Sequence, residues 1–154
     1  MIPASSFQGK TTLVKELIKL GAKYYSDEYA VLDENGLVHP FPKTLSVRGI
    51  NGNPEQVELP AEFYGAQTGT KACEVGLVLM TSYQKDASWE PRVISKGQGV
   101  LEIIQHTLSI RSNTKFTMRV LNKVVTNAII CKSLRGNASK TAKTVLEFFG
   151  DVNS

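Results

Sequence analysis

The chain of 154 residues has little cysteine and no long apolar run. Its two cysteines, Cys73 and Cys131, lie far apart, with no histidine or second cysteine beside either of them. This spacing favours reduced structural thiols over a disulfide or a sulfur-ligated metal site. No stretch approaches the roughly 18 apolar residues that a membrane span needs, and the first residues carry a polar motif where a signal peptide would be apolar. We therefore expect a cytoplasmic protein without membrane contact.

Acidic residues are absent from one part of the chain. None lies between Arg111 and Lys143, a range that carries eight basic residues, although the net charge of the whole chain is only +4. Lys115, Arg119 and Lys123 recur every fourth residue and would share one helix face. Aromatic side chains do not alternate with these charges, as a stacking platform for nucleic acid would require. The pattern favours a solvated helix face over a nucleic-acid interface, with an anion-binding surface as the alternative.

Hydrophobic residues make up 42% of the chain and charged residues 21%, which suits one domain over residues 1–154. Periodicity predicts helices over 11–20, from 97, from 113 and over 139–149, and strands over 24–32, 37–39, 44–47, 74–83, 92–95 and 128–131. Leu20, Leu101 and Leu108 are expected on buried helix faces. The order of elements predicts an α/β fold, in which helices pack on a mixed sheet.

The most informative motif lies near the N-terminus, where Gly9, Lys10 and Thr11 match the end of the pattern Gly-x-x-x-x-Gly-Lys-Ser/Thr. In that pattern the backbone N–H groups of a small-residue loop surround phosphate, the lysine reaches the β and γ oxygens, and the hydroxyl ligates Mg²⁺. Ala4 stands where the first glycine belongs, and alanine is strained at positive φ. The motif predicts a phosphate-binding loop that opens a helix.

This loop lacks most of the strand that normally anchors it. A P-loop follows a β-strand, but only Met1, Ile2 and Pro3 precede this one. We therefore expect the domain to be truncated at its N-terminus and to lack one or more strands.

An acidic pair, Asp27 and Glu28, begins fifteen residues beyond Thr12. A phosphoryl-transfer site needs a carboxylate near Mg²⁺ and often a second one to orient or deprotonate the attacking hydroxyl. Adjacent residues of a strand point to opposite faces, so both carboxylates can face a metal only if the strand ends or kinks there. We expect one to be functional and the other supporting; the alternative is a solvated polar spot between strands.

Four further residues carry weaker signals. His39 is expected at the end of a hairpin, and His106 in the partly buried part of a helix. Lys43 and Arg48 follow the acidic pair and allow two interpretations, a surface role and neutralisation of transferred phosphate.

Three blocks of the sequence together resemble the HPr kinase/phosphorylase-like P-loop ATPases. The blocks are residues 3–13 with the loop, 21–32 with the acidic pair, and 39–43 with the run His-Pro-Phe-Pro-Lys, and they occur in the order of that family. The segment 133–138, which precedes the last predicted helix, extends the resemblance. More specifically, the chain is similar to the short HPr-kinase-like proteins of unassigned substrate.

This resemblance implies a fold related to phosphoenolpyruvate carboxykinase, ATP and Mg²⁺ as cofactors, and transfer of a phosphoryl group to a hydroxyl of a small molecule or peptide. By that likeness Thr11 and Asp27 hold Mg²⁺, and Asp27 or Glu28 acts as general base. The nucleotide-binding residues that the likeness implies are Ser5, Ser6, Phe7, Gln8, Gly9, Lys10, Thr11 and Thr12. Glu28 replaces the second aspartate of the bifunctional enzymes, and their downstream glycine-rich signature has no counterpart here, so HPr itself is not predicted as the acceptor.

Two other functions compete with a kinase. A degenerate, non-catalytic nucleotide-binding module is suggested by Ala4 and by the absent strand. An anion-binding or scaffold protein would use the basic C-terminal half. Relatives of this fold often assemble, so a homo-oligomer is compatible with the resemblance.

Overall fold

The computed structural model of the protein describes residues 1–5, 8–48 and 56–152. In these residues the chain forms a mixed α/β structure with four α-helices and three small sheets. The helices are α1 (Lys10–Lys19), α2 (Lys96–Ile104), α3 (Thr114–Asn127) and α4 (Ala138–Val152). The strands are β1 (Val31–Leu32), β2 (Val38–His39), β3 (Leu45–Arg48), β4 (Gln56–Leu59), β5 (Leu77–Tyr83), β6 (Arg92–Val93) and β7 (Ile129–Arg135). Short 3-10 helices span Ala61–Tyr64 and Leu108–Ile110.

The three-stranded sheet has the strand order β5-β7-β6. β5 and β7 are parallel, with Leu77 opposite Ile129 and Tyr83 opposite Arg135, and β6 pairs antiparallel with β7. The middle of β5 is buried, as predicted for the strand over 74–83, but the strand begins at Leu77 and lies at the end of the strand order, so the prediction of a central position is wrong and β7 is the central strand. β7 continues to Arg135, well beyond the predicted end at Cys131.

Helices cover both faces of this sheet. On one face Val78, Met80 and Ile130 pack against buried residues of α2 and α3. On the other face Leu79 and Cys131 pack against α1 and α4. Alternation along β5 and β7 produces this division because successive strand residues point to opposite faces. The core therefore consists of two apolar layers divided by the sheet, and the prediction of a mixed sheet with flanking helices is confirmed at that level.

The first residues lie along the edge of β5 that faces away from β7. The terminal ammonium of Met1 donates to the Leu77 carbonyl oxygen at 2.6 Å, and the Leu79 amide donates to the Met1 carbonyl oxygen at 2.9 Å. These two bonds follow the pattern of a parallel ladder, with Met1 opposite Val78. Burial lowers the pKa of the Met1 ammonium to about 6. Met1 thus takes the place of an edge strand and leads the chain into the loop before α1.

Local signals mark the starts of α2 and α3 and the end of α1, each within one residue of its predicted position. Ser95 and Gln98 form a reciprocal capping box at the start of α2, and the Asn113 side chain accepts from the Phe116 amide at the start of α3. Gly21, at φ +91°, follows the end of α1 and accommodates a left-handed turn. No helix in the described part of the chain is long and apolar enough to cross a bilayer.

Three leucines that the sequence predicts to be buried are exposed. Leu20 is the C-cap residue of α1, beyond the last helical turn that packs on the sheet. Leu101 lies on the outer side of α2, because it is offset by about 100° from Val100, which is buried. Leu108 lies past the end of α2, in a 3-10 helix, and is 77% exposed. The helical period therefore misplaced Leu101 within α2, and Leu20 and Leu108 lie outside the helices to which the period assigned them.

The predicted hairpin is confirmed by β1 and β2, but the predicted strand over 24–32 is mostly wrong. Before β1 the chain makes only an isolated parallel bridge, between Tyr24 and Thr68. The hydroxyl of Ser26 explains the break because it accepts from the amides of Glu28 and Tyr29, each at 3.2 Å. Such local side-chain bonds offer the backbone an alternative to a ladder. The chain therefore bends at the acidic pair.

A second small sheet packs against α1. β3 pairs antiparallel with β4, which confirms the strand predicted over 44–47 to within one residue. Leu45 is fully buried in a cluster with Ile18 of α1 and with Tyr24. This cluster fixes Tyr24 beside α1 and so determines where the residues that follow it are placed.

Candidate functional site

The predicted phosphate-binding loop leads into the N-terminus of α1. Gly9 is the N-cap residue and has φ +73°, a left-handed conformation that glycine adopts without strain. No side chain caps this helix end, and its first turn holds no acidic residue. The amide of Ser5 donates to Gln8 Oε1 at 3.2 Å, while Ser6 and Phe7 lie outside the described residues. The first amides of α1 are therefore free of acidic side chains, which favours an anion at this end of the helix.

Thr11 and Asp27 meet beside this helix end. The Thr11 hydroxyl donates to Asp27 Oδ2 at 3.0 Å, although the two residues are 16 positions apart. Asp27 is only 8% exposed. A hydroxyl and a carboxylate oxygen are ligands that Mg²⁺ accepts, and Mg²⁺ in proteins is typically held by one or two carboxylates together with phosphates and water. The pair that the sequence predicts as metal ligands is thus adjacent.

Tyr24 holds Asp27 in place. Its hydroxyl lies 3.2 Å from Asp27 Oδ1 and 2.9 Å from the Lys43 carbonyl oxygen, both of which accept, and it accepts in turn from the Asp27 amide at 3.2 Å. Burial raises the pKa of the Tyr24 phenol to about 12, and the charge of Asp27 acts in the same direction. A phenol that stays protonated keeps donating, so this contact fixes the orientation of the carboxylate.

Glu28 lies on the solvent side of the bend. Its carboxylate forms an ion pair with Lys43, and hydrogen bonding to that ammonium lowers the pKa of Glu28. The charge of Lys10 acts in the same direction. Because the chain bends at the acidic pair, Asp27 and Glu28 both line one cavity. In a continuous strand the two side chains would point to opposite faces.

That cavity has a volume of about 730 Å³ and opens beside the edge of β5. Ala4, Lys10, Asp27 and Glu28 line it. The remaining lining is largely apolar, and part of it comes from helices on both faces of the sheet: Val14, Leu17, Ile18, Ile103, Phe116, Val120, Leu121, Val145, Leu146 and Phe149. Small-molecule sites commonly have volumes of about 300–1,000 Å³ and a few charged groups in an apolar wall, which describes this cavity.

Arg135 is the functional candidate that sequence reasoning missed. It lies at the end of β7 and is 2% exposed. Its Nη2 donates to the carbonyl oxygens of Gln8 at 3.1 Å and Gly9 at 2.6 Å. Burial lowers the pKa of this guanidinium. One signal for a functional role was available, an arginine followed by Gly136 at the carboxyl end of a buried strand. Charge patterning alone counts Arg135 as one of several basic residues in that part of the chain.

The four residues with weaker sequence signals lie in different parts of the fold. His39 Nε2 lies 3.0 Å from Asp33 Oδ2 within the β1–β2 hairpin, which confirms its predicted position at the hairpin end. His106 lies in the turn after α2 and is exposed, so its prediction as a partly buried helix residue is wrong, and it lines the cavity described above. Lys43 is bound to Glu28, and the side chain of Arg48 lies outside the described residues.

Thr12 and the basic face of α3 lie on the surface. Thr12 is exposed on α1, and Lys115, Arg119 and Lys123 are exposed along α3, as expected for a solvated helix face. Thr12 lies in the first turn of α1, and the three cations lie on a separate element.

Thiols do not supply a metal site. Both cysteines are free, and burial raises the pKa of the Cys131 thiol to about 11. Across residues 1–5, 8–48 and 56–152 there is no group of three or more His, Cys, Asp or Glu side chains that could hold a metal ion. A metal at Thr11 and Asp27 would therefore need ligands from a bound nucleotide and from water.

Comparisons of the chain with protein-family models, with curated protein sequences and with solved structures find no match. The function is therefore inferred from the geometry of the loop, the acidic pair and the cavity.

Proposed function

We propose that the protein binds ATP with Mg²⁺ through residues 4–12 and transfers the γ-phosphoryl group to a hydroxyl of a small molecule or peptide. In this proposal it is a P-loop protein with the fold of the HPr kinase/phosphorylase-like ATPases. The observation that carries it is the 3.0 Å contact between Thr11 and Asp27, at the start of a helix whose first residue is Lys10.

Phosphate binding is supported by three kinds of positive charge at one place. The N-terminus of α1 offers backbone amides and the positive end of the helix dipole. Lys10 begins the helix and lines the cavity, where its ammonium can reach the outer phosphates. Arg135 adds a cation on the other side of the loop. A triphosphate placed here would meet cationic groups on several sides.

Thr11 and Asp27 would hold the metal. Mg²⁺ would supply positive charge that offsets the charge of the β and γ phosphates. The Tyr24 hydroxyl supports Asp27 from behind, which leaves Oδ2 directed at Thr11.

Glu28 is the proposed general base. The acceptor oxygen forms a new bond to the γ phosphorus while the bond from that phosphorus to the β–γ bridging oxygen breaks and ADP leaves. The proton of the acceptor hydroxyl passes to Glu28, whose carboxylate is exposed and is not occupied by a metal ligand role. Asp27 has both oxygens engaged and suits the metal better.

Titration calorimetry with ATP, with and without Mg²⁺, tests the binding step. Lys10→Ala should weaken ATP binding strongly, because it removes the cation that reaches the outer phosphates. Lys15→Ala is the matched control, since Lys15 lies on the same helix over the Tyr64 ring and should leave the affinity unchanged. Unaltered binding in Lys10→Ala would overturn the proposal.

A non-catalytic nucleotide-binding module is the second candidate, favoured by Ala4 in the first glycine position. A panel of hydroxyl acceptors and ATP labelled in the γ phosphate separates the two candidates. A kinase transfers label to an acceptor in the wild type and not in Glu28→Gln. ATP binding without transfer to any acceptor class, and without Glu28-dependent hydrolysis, would favour the module.

A further inference from the structure

Among the residues that the structure describes, the buried positive charge of Arg135 has no acidic partner. Only 2% of the residue is exposed to solvent. Of the ion pairs formed within the described residues, none includes Arg135. Its Nε is also buried and has no hydrogen-bond partner among those residues. Carbonyl oxygens and the Tyr83 ring, whose centre lies 5.8 Å from Cζ, are its neighbours. A buried cation is costly unless a counter-charge lies close by.

We infer that Arg135 is a positioning residue for the phosphate-binding loop and that phosphate bound at the N-terminus of α1 supplies the counter-charge that this guanidinium lacks. The inference rests on the proposed function, because it concerns the same phosphate site. It adds Arg135 to the site, a residue that lies 126 positions after Gly9 and is not part of the Gly-Lys-Thr motif.

The hydrogen bonds of Arg135 fix two peptide planes. In a planar trans peptide the carbonyl and the following N–H point in opposite directions. The carbonyls of Gln8 and Gly9 both point at Arg135, so the N–H groups of Gly9 and Lys10 point to the opposite side of the loop. That side is where a phosphate would accept from them. Arg135 thereby orients the backbone N–H groups of Gly9 and Lys10 toward the proposed phosphate position.

Close contact between Arg135 and Gly9 makes glycine necessary at this position. A Cβ atom on Gly9 would lie 2.4 Å from Nη2 of Arg135, which is too close for any real contact. The positive φ of Gly9 adds a second penalty for a side chain. The guanidinium and the loop backbone are therefore fitted to each other, as expected of a built site.

A lysine reproduces only part of this arrangement. Nη2 of a planar guanidinium donates to both carbonyls from a fixed plane, whereas an ammonium is a point charge on a flexible stem. Arg135→Lys keeps the charge and loses the fixed plane, and Arg135→Met loses both. Positioning and counter-charge can thus be separated by comparing the two variants.

The experiment measures binding of inorganic pyrophosphate without Mg²⁺ by calorimetry and by the shift in melting temperature. Pyrophosphate should stabilise the wild type more than sodium chloride at equal ionic strength. Arg135→Met should bind pyrophosphate at least about tenfold more weakly, since hydrogen bonds that involve charged groups are the stronger ones. Arg135→Lys should fall between the two. Arg119→Met, which removes one exposed cation from α3, should bind like the wild type.

Each outcome has a separate meaning. Loss of pyrophosphate binding in Lys10→Ala combined with wild-type affinity in Arg135→Met would overturn this inference and leave the proposed function standing. Absence of both pyrophosphate and ATP binding in the wild type would overturn the proposed function itself. If Arg135→Met does not fold, Arg135→Lys decides the question, and wild-type affinity in that variant overturns the positioning role. Arg135→Lys variants that fold only when pyrophosphate is present support the inference, because the ligand then completes the site.

Discussion

The hydroxyl of Thr11 lies 3.0 Å from Asp27 Oδ2, so the last residue of the Gly-Lys-Thr motif and the first residue of the acidic pair form one unit. Asp27→Asn keeps the shape of this unit but removes its charge and one of its two acceptor oxygens. We expect the variant to bind ATP and to lose the gain in affinity that Mg²⁺ gives the wild type. Calorimetric titration with and without Mg²⁺ measures the difference. Glu28→Gln is the control and should keep the Mg²⁺ effect; an Asp27→Asn variant that also keeps it would contradict the metal role.

The ion pair between Lys43 and Glu28 predicts a shift in the pH dependence of phosphoryl transfer. Lys43 lowers the pKa of Glu28, so the proposed base is ionised down to a lower pH than an unpaired glutamate. Lys43→Met removes this effect, and the pKa of Glu28 rises toward its ordinary value. The acidic limb of kcat/KM should therefore move to higher pH. Lys23→Met, a change at another lysine that lines the same cavity, should leave the limb in place; equal shifts in both variants would argue against the pairing.

Tyr24 should lose its proton at a higher pH than a tyrosine of the unfolded chain does. Its folded pKa is about 12 against an ordinary value of about 10, so the folded protein keeps this proton after the unfolded chain has lost it. The contribution of this raised pKa to the free energy of unfolding is complete below pH 10 and is lost as the pH rises toward 12. Ultraviolet difference spectra should show a late tyrosine step in the wild type that Tyr24→Phe lacks. At neutral pH the same substitution should cost about 1–3 kcal/mol of unfolding free energy, because it leaves buried partners unpaired.

Two glycines of α2 provide a matched pair for stability. A Cβ on Gly97 meets nothing within 4 Å, whereas a Cβ on Gly99 would lie 2.3 Å from Cδ1 of Ile130, which is itself buried in the core. Gly97→Ala should raise the unfolding free energy by about 0.5–1 kcal/mol through helix propensity. Gly99→Ala should lower it by about 1–3 kcal/mol through overpacking. Urea unfolding of both variants tests the pair, and stabilisation by Gly99→Ala would show that α2 and β7 pack less tightly than described.

Local signals in the sequence predict most of the helices, but they do not predict which side chains surround the loop before α1. The capping box of Ser95 and Gln98 and the glycine stop at Gly21 depend on neighbours within a few residues, so a pattern can predict them. The strand predicted from Tyr24 onward fails because the Ser26 hydroxyl bonds two nearby amides, and aromatic composition carries no information about that choice. Arg135 is the extreme case, since its role depends on a contact with the opposite end of the chain.

The long separation between the loop and Arg135 also sets an order of events in folding. The contact from Arg135 to Gly9 closes 126 residues of chain, and contacts of this length are paid for in entropy before they contribute stability. During synthesis the Gly-Lys-Thr segment emerges before the strand that carries Arg135. Until β7 pairs with β5, the carbonyls of Gln8 and Gly9 lack their bonds to Arg135, although the Leu13 amide of α1 can still donate to Gly9. A nascent chain therefore carries the Gly-Lys-Thr segment before it has the loop geometry that the proposed phosphate site requires.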